Sequence, residues 1–143
     1  MRVFWASLVG LLLVAVAVAS YAAGVDQGEK RANARVFELR TYTAAPGKME
    51  ALNARFRDHT CKLFENHGMT NIGYWNPADP QEADEKLVYI LAFPSREAAQ
   101  KSWNAFRADP EWKAVQKASE KDGKLVTKVE RVYLKPTDYS PLK

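Results

Sequence analysis

The segment Leu87-Val88-Tyr89-Ile90-Leu91-Ala92-Phe93 is apolar at every position. Successive side chains of a β-strand turn to opposite faces, so Val88, Ile90 and Ala92 point one way and Leu87, Tyr89, Leu91 and Phe93 the other. A strand that is apolar on both sides belongs in the middle of a sheet, and both faces of that sheet then need cover.

The rest of the chain supplies three more strands and two helical layers. Val36 to Tyr42 alternates, with Phe37 and Leu39 on one side and Glu38, Arg40 and Tyr42 on the other, before the Pro46-Gly47 punctuation. From Pro46 to His67 the apolar period becomes helical. With Phe56 at zero, Met49, Leu52, Thr60 and Leu63 fall within about 40° of it, which predicts one helix ended by Gly68. Thr70 to Asn76 is rich in β-formers and is followed by an acidic, Pro-containing loop. Ser95 is placed to N-cap a helix carrying Ala99, Trp103 and Phe106, and Asp109-Pro110 restarts it with Trp112 and Val115. Leu125 to Leu134 reads as the last strand, and residues 136–143 as a tail.

The predicted order is βαββαβ, an α+β fold with a four-stranded, mostly antiparallel sheet and both helical layers on one face. The other face keeps three or four large apolar side chains, whose burial is worth roughly 5–10 kcal/mol. A second copy packed face to face covers them with one self-complementary patch, so the chain is expected to be a homodimer.

The N-terminus carries a different signal. Val3 to Ala19 contains no charge and follows the single cation Arg2. Small residues Ser20 and Ala22 flank Tyr21, so residues 1–22 read as a secretory signal peptide cut after Ala22, with Ala19 or Ala23 as alternative sites. An uncut leader is the alternative, and a membrane attachment is expected only in that case. Residues 23–34 are a polar linker and residues 35–135 the folded domain. The expected address is therefore periplasmic or secreted. Lys and Arg exceed Asp and Glu by 21 to 17, giving +4 spread along the chain, which offers no clustered nucleic-acid surface. The lone Cys61 permits no disulfide within the chain.

Phe37-Glu-Leu-Arg-Thr-Tyr42, Pro46-Gly-Lys48, Phe56-Arg-Asp-His59, His67-Gly-Met69, Gly73-Tyr-Trp75, Leu91-Ala-Phe-Pro-Ser-Arg-Glu97, Trp103-Asn-Ala-Phe-Arg107 and Asp109-Pro-Glu-Trp112 occur in order along residues 35–140. In these motifs the chain resembles the NIPSNAP family. The resemblance implies a ferredoxin-like unit that pairs into a dimeric α/β barrel, and it implies no settled reaction. Named members of the family are associated with mitochondria, vesicle traffic and damage signalling; the export-type leader sets this chain apart from them.

His59 at about −60° and His67 at about +20° lie on the apolar side of the predicted helix, which makes them acid/base candidates with an ordinary pKa near ~6.5. Eight residues at ~1.5 Å rise hold them about 12 Å apart, too far for a shared metal. Glu38, Arg40 and Tyr42 form a polar triplet suited either to orienting a ligand or to a buried ion-pair network, with Lys128, Glu130 or Arg131 as possible partners. Tyr74, Trp75, Tyr89 and Trp103 are candidate walls of a cleft between helices and sheet. No Gly-rich phosphate loop, serine elbow, Cys-His pair or dinucleotide fingerprint is present, so no cofactor is expected. The leading expectation is a homodimer that binds a small, partly apolar molecule. The alternatives are an enzyme resembling the cofactor-free oxygenases, haem-degrading proteins or lyases of similar barrels, with His59 as base and Arg40 steadying negative charge, or a structural module.

Overall fold

The structure is a computed structural model, and it describes residues 35–143. The expected signal peptide and linker lie outside the described residues.

Four antiparallel strands form one sheet in the order β2-β3-β1-β4: β1 is Val36–Ala44, β2 Thr70–Trp75, β3 Lys86–Phe93 and β4 Val126–Leu134. β3, apolar from Leu87 to Phe93, is one of the two inner strands, as that composition requires. Its Leu87, Tyr89, Leu91 and Phe93 are buried under the helices, while Val88 and Ile90 on the opposite face are half-buried. The register Arg40↔Tyr89 and Tyr42↔Leu87 places the polar side of β1, not its Phe37 and Leu39, beneath those helices.

The first helix departs from its predicted form in two ways. It starts at Met49 rather than Pro46, because Gly47 takes φ +72° in the preceding turn, a conformation outside the right-handed helix. It is also not uniformly wound. α1 (Met49–Arg55) passes through a π-helical turn, Phe56–Thr60, into α2 (Cys61–Asn66). A π turn holds more than four residues, so each residue advances by only about 80–85°. On that count Phe64 rotates from about +80° to nearly in line with Phe56, and it is buried against Phe56, Tyr89, Trp103 and Phe106. Burial of a Phe side chain is worth about 1.5–3 kcal/mol, which offsets the poorer winding. The carbonyl of Arg55 accepts the Thr60 hydroxyl at 3.1 Å. At the helix end the Met69 amide reaches the Phe64 carbonyl and the Gly68 amide the Glu65 carbonyl, both at 3.0 Å, with Gly68 at φ +75°. These two bonds form a Schellman cap, which requires a left-handed residue at the glycine.

The loop expected between β2 and β3 contains one short helical turn, α3 (Pro80–Ala83). α4 (Arg96–Ala108) is capped by Ser95, whose hydroxyl accepts from the Ala98 amide at 3.1 Å. α5 (Pro110–Ser119) is capped by Asp109, which accepts from the Glu111 amide at 2.7 Å, with Pro110 in the first position. Both caps are where the sequence puts them.

The face away from the helices is partly covered by the chain itself. Residues 135–142 fold back so that Pro136, Thr137, Ser140 and Leu142 gather around Phe37, Ile90 and Leu134, and Phe37 is buried. Trp75 at 51%, Val132 at 47% and Leu134 at 40% relative exposure remain open to solvent.

Candidate functional site

Between helices and sheet the interior is aromatic with a polar centre. Tyr89 stacks on Tyr74 and packs against Tyr42 and Phe56, with ring centroids 5.2–5.4 Å apart. Within this shell the Glu38 carboxylate, fully buried, accepts from Arg40 Nη1 at 3.0 Å and from Trp103 Nε1 at 2.5 Å. The Arg40 guanidinium also lies over the Trp103 ring, 4.1 Å from its centroid. Burial opposes the Arg40 charge, but Tyr89, Tyr42 and Glu38 outweigh it and hold the group above its ordinary value. Burial also pushes the Tyr89 hydroxyl well up. Among the described residues, Arg40 Nε and Tyr89 Oη are buried without a hydrogen-bond partner.

The triplet Glu38, Arg40 and Tyr42 is therefore joined within one subunit, under the helices. Neither Glu130 nor Lys128 partners it: those two pair with each other at 3.0 Å, in register with the opposite side of β1. Arg131 stands across from Arg40 in the β1–β4 ladder and offers it no countercharge.

A cleft of about 320 Å³ opens beside this core, between the helix and the edge strand β2. Phe56, Tyr74, Trp75 and Leu87 form its apolar wall, and Asn53, Arg57, Cys61 and Asn76 its polar one. Asn53 Nδ2 donates to Asn76 Oδ1 at 3.0 Å, and Asn76 Nδ2 donates to the Lys86 carbonyl at 2.8 Å, which fixes one end. The Tyr74 hydroxyl donates to Asn71 Oδ1 at 2.5 Å, and Asn71 Nδ2 to the Cys61 carbonyl at 3.0 Å. Burial raises both the Cys61 thiol and the Tyr74 hydroxyl, so neither ionises near neutral pH. This cleft can hold and orient a small molecule, and neither Cys61 nor Tyr74 is an activated nucleophile in it.

The expected site residues thus fall into four places. Tyr74 and Trp75 line the cleft. Glu38, Arg40, Tyr42 and Tyr89 belong to the packed interior behind it, and Trp103 closes that interior on the side away from the cleft. His67 forms a structural tie instead: its Nε2 meets Asp109 Oδ2 at 2.6 Å, joining the end of α2 to the cap of α5. His59 is exposed, contrary to the helical wheel, because slower winding through the π turn carries it from about −60° to about −110°, off the apolar face. It cannot serve as a base within the cleft from there. Asn53, Arg57, Cys61 and Asn76 were not anticipated. Arg57 sits in the motif Phe56-Arg-Asp-His59, but a lone exposed arginine carries no signal that tells it from a solvated one.

The NIPSNAP family model matches residues 37–141. The chain belongs to the NIPSNAP family, and its fold is ferredoxin-like. Among solved structures it is similar to a NIPSNAP family protein of unknown function from Agrobacterium tumefaciens, at 24% identity over 78% of this chain and 96% of that one, with a TM-score of 0.67. A second NIPSNAP family protein from the same organism is 22% identical over 76% and 99% of the two chains, with a TM-score of 0.66. An uncharacterised NIPSNAP-like domain protein from Burkholderia xenovorans is 18% identical over 76% and 90%, with a TM-score of 0.65. No curated protein matches the sequence.

Proposed function

We propose that the chain works as an exported homodimer that binds a small, partly apolar molecule in the cleft between the first helix and β2. The observation that carries this reading is the cleft itself: about 320 Å³, with an aromatic wall of Phe56, Tyr74 and Trp75 facing the cationic Arg57 and two amides. That size and division of surface suit a small ligand with an apolar body and one polar or anionic end. Export is supported by the uncharged leader after Arg2. Pairing is supported by the apolar side chains left open on the sheet face, Val132 and Leu134 among them.

The test is calorimetric titration of the purified chain with 1-naphthoate, an aromatic carboxylate of suitable shape. Saturable binding is expected, weakened in Trp75→Ala and in Arg57→Gln and unchanged in Arg131→Gln. Absence of saturable heat, or equal affinity in the first two variants, would sink the ligand-binding reading.

A further inference from the structure

A second cavity, of about 260 Å³, lies on the other side of Trp103, in the groove between α4 and β4. On the helix, Arg96, Gln100 and Arg107 form a stripe at spacings of four and seven, which keeps them on one face. On the strand, Arg131 and Tyr133 are two residues apart and share the side that faces the helices, in register with Arg40 and Glu38. All of these side chains line the cavity, and among the described residues no carboxylate does.

No carboxylate among the described residues lies at salt-bridge distance from the guanidinium groups of this groove. Arg96 lies over the Tyr133 ring, 3.2 Å from its centroid, and Arg107 Nη2 donates to the Asn104 amide oxygen at 2.6 Å. Among the described residues, none of Arg96, Arg107 and Arg131 forms a salt bridge. The buried acid Glu38 is beneath Trp103 and already holds Arg40 and the indole N–H. Glu97 is held chiefly by the Ser95 end of the helix and feels the Arg96 charge only at a distance, and Glu130 faces the other side of β4 beside Lys128. Three guanidinium groups around one cavity repel each other unless an anion lies between them. Their forks match carboxylate and phosphate oxygens two at a time. Tyr133 stays a neutral hydroxyl donor, because burial raises it.

We infer that this groove is a binding site for a small polyvalent oxyanion, a phosphate ester or a polycarboxylate, gripped by Arg96, Arg107 and Arg131 over a floor of Trp103 and Tyr133. It shares no lining residue with the cleft of the proposed function and stands or falls separately.

Calorimetric titration of the purified chain with pyrophosphate and with citrate, at constant ionic strength maintained with chloride, tests the inference. One saturable site per chain is expected for at least one of the two anions, weakened by about tenfold or more in Arg131→Gln and in Arg107→Gln. Without anion, Arg131→Gln is expected to melt no lower than wild type, since the change relieves repulsion. Tighter binding of pyrophosphate assigns a phosphate ligand, and tighter binding of citrate a polycarboxylate. The inference is overturned if neither anion saturates, or if Lys117→Gln on α5 loses as much affinity as the groove variants, since any surface cation would then serve.

Discussion

Glu38 on β1 and Trp103 on α4 are bonded across the helix–sheet boundary, carboxylate to indole N–H at 2.5 Å. The same carboxylate neutralises Arg40. Removing it leaves a guanidinium inside the protein with no counterion, a change that typically costs about 3–5 kcal/mol. Glu38→Ala is therefore expected to lower the unfolding free energy in urea by that amount. Trp103→Phe, which removes only one donor and a ring, should cost about 1–3 kcal/mol. Losses below about 1 kcal/mol in both variants would show that the bonded pair does not hold the layers together.

Gly68→Ala probes the cap of the first helix. A Cβ there would meet only Ser102 Oγ, at an ordinary 3.7 Å, so the penalty comes from the backbone at φ +75°. The expected loss is about 1–2 kcal/mol, read from denaturant midpoints at unchanged slope.

The bond between His67 and Asp109 makes stability depend on pH. The His67 contact, followed by the Glu111 amide, holds the Asp109 carboxyl below its ordinary value. A carboxyl with a depressed folded-state pKa contributes fully above its unfolded value of about 3.9, and loses that contribution as pH falls through the lower folded value. Near pH 5 wild type should exceed Asp109→Asn in stability, and that margin should shrink as pH falls through about 4 until the two converge in acid. A difference that grew in acid would contradict the sign.

Trp75 folds back over Gly73 so closely that an added Cβ would lie 2.5 Å from the far edge of the indole. Since that ring is half-exposed, it can swing aside. Gly73→Ala is expected to fold, to change tryptophan emission and to weaken 1-naphthoate binding through displacement of one cleft wall. Unchanged affinity would remove Trp75 from the ligand site.

Pairing through the open face predicts a dimer in sedimentation equilibrium at micromolar concentration, shifted towards monomer by Val132→Glu. This exposed position tolerates a charge in a lone subunit but not against a partner. Folded monomers of the unaltered chain at that concentration would end the homodimer proposal.

The fold was legible because its signals are local. Period-two alternation located the strands, Ser95 and Asp109-Pro110 announced the helix starts, and the apolar run Leu87 to Phe93 declared the inner position of β3. The site was legible only in pieces. Tyr74 and Trp75 were recognisable as aromatic walls, yet which cavity each aromatic borders depends on strand register, and so Trp103 parted company with them. His59 was misread because the π turn has no sequence signature: its cause is the long-range packing of Phe64, which a wheel drawn from Phe56 at constant pitch leaves outside the core. The partnership of Glu38 with Arg40 was hidden for a related reason. Two charges on one side of a strand usually seek acids and bases on neighbouring strands, but here each found the other.

The π turn also bears on how this chain should be compared with its kin. A widened turn amounts to one residue beyond what an ordinary helix needs to connect the same two ends. Removing a single outward-facing position such as Asp58 would restore the tighter pitch and leave Phe56 and Phe64 still nearly aligned. A one-residue gap at this point in an alignment would therefore mark a change of winding, with no loss of the elements on either side.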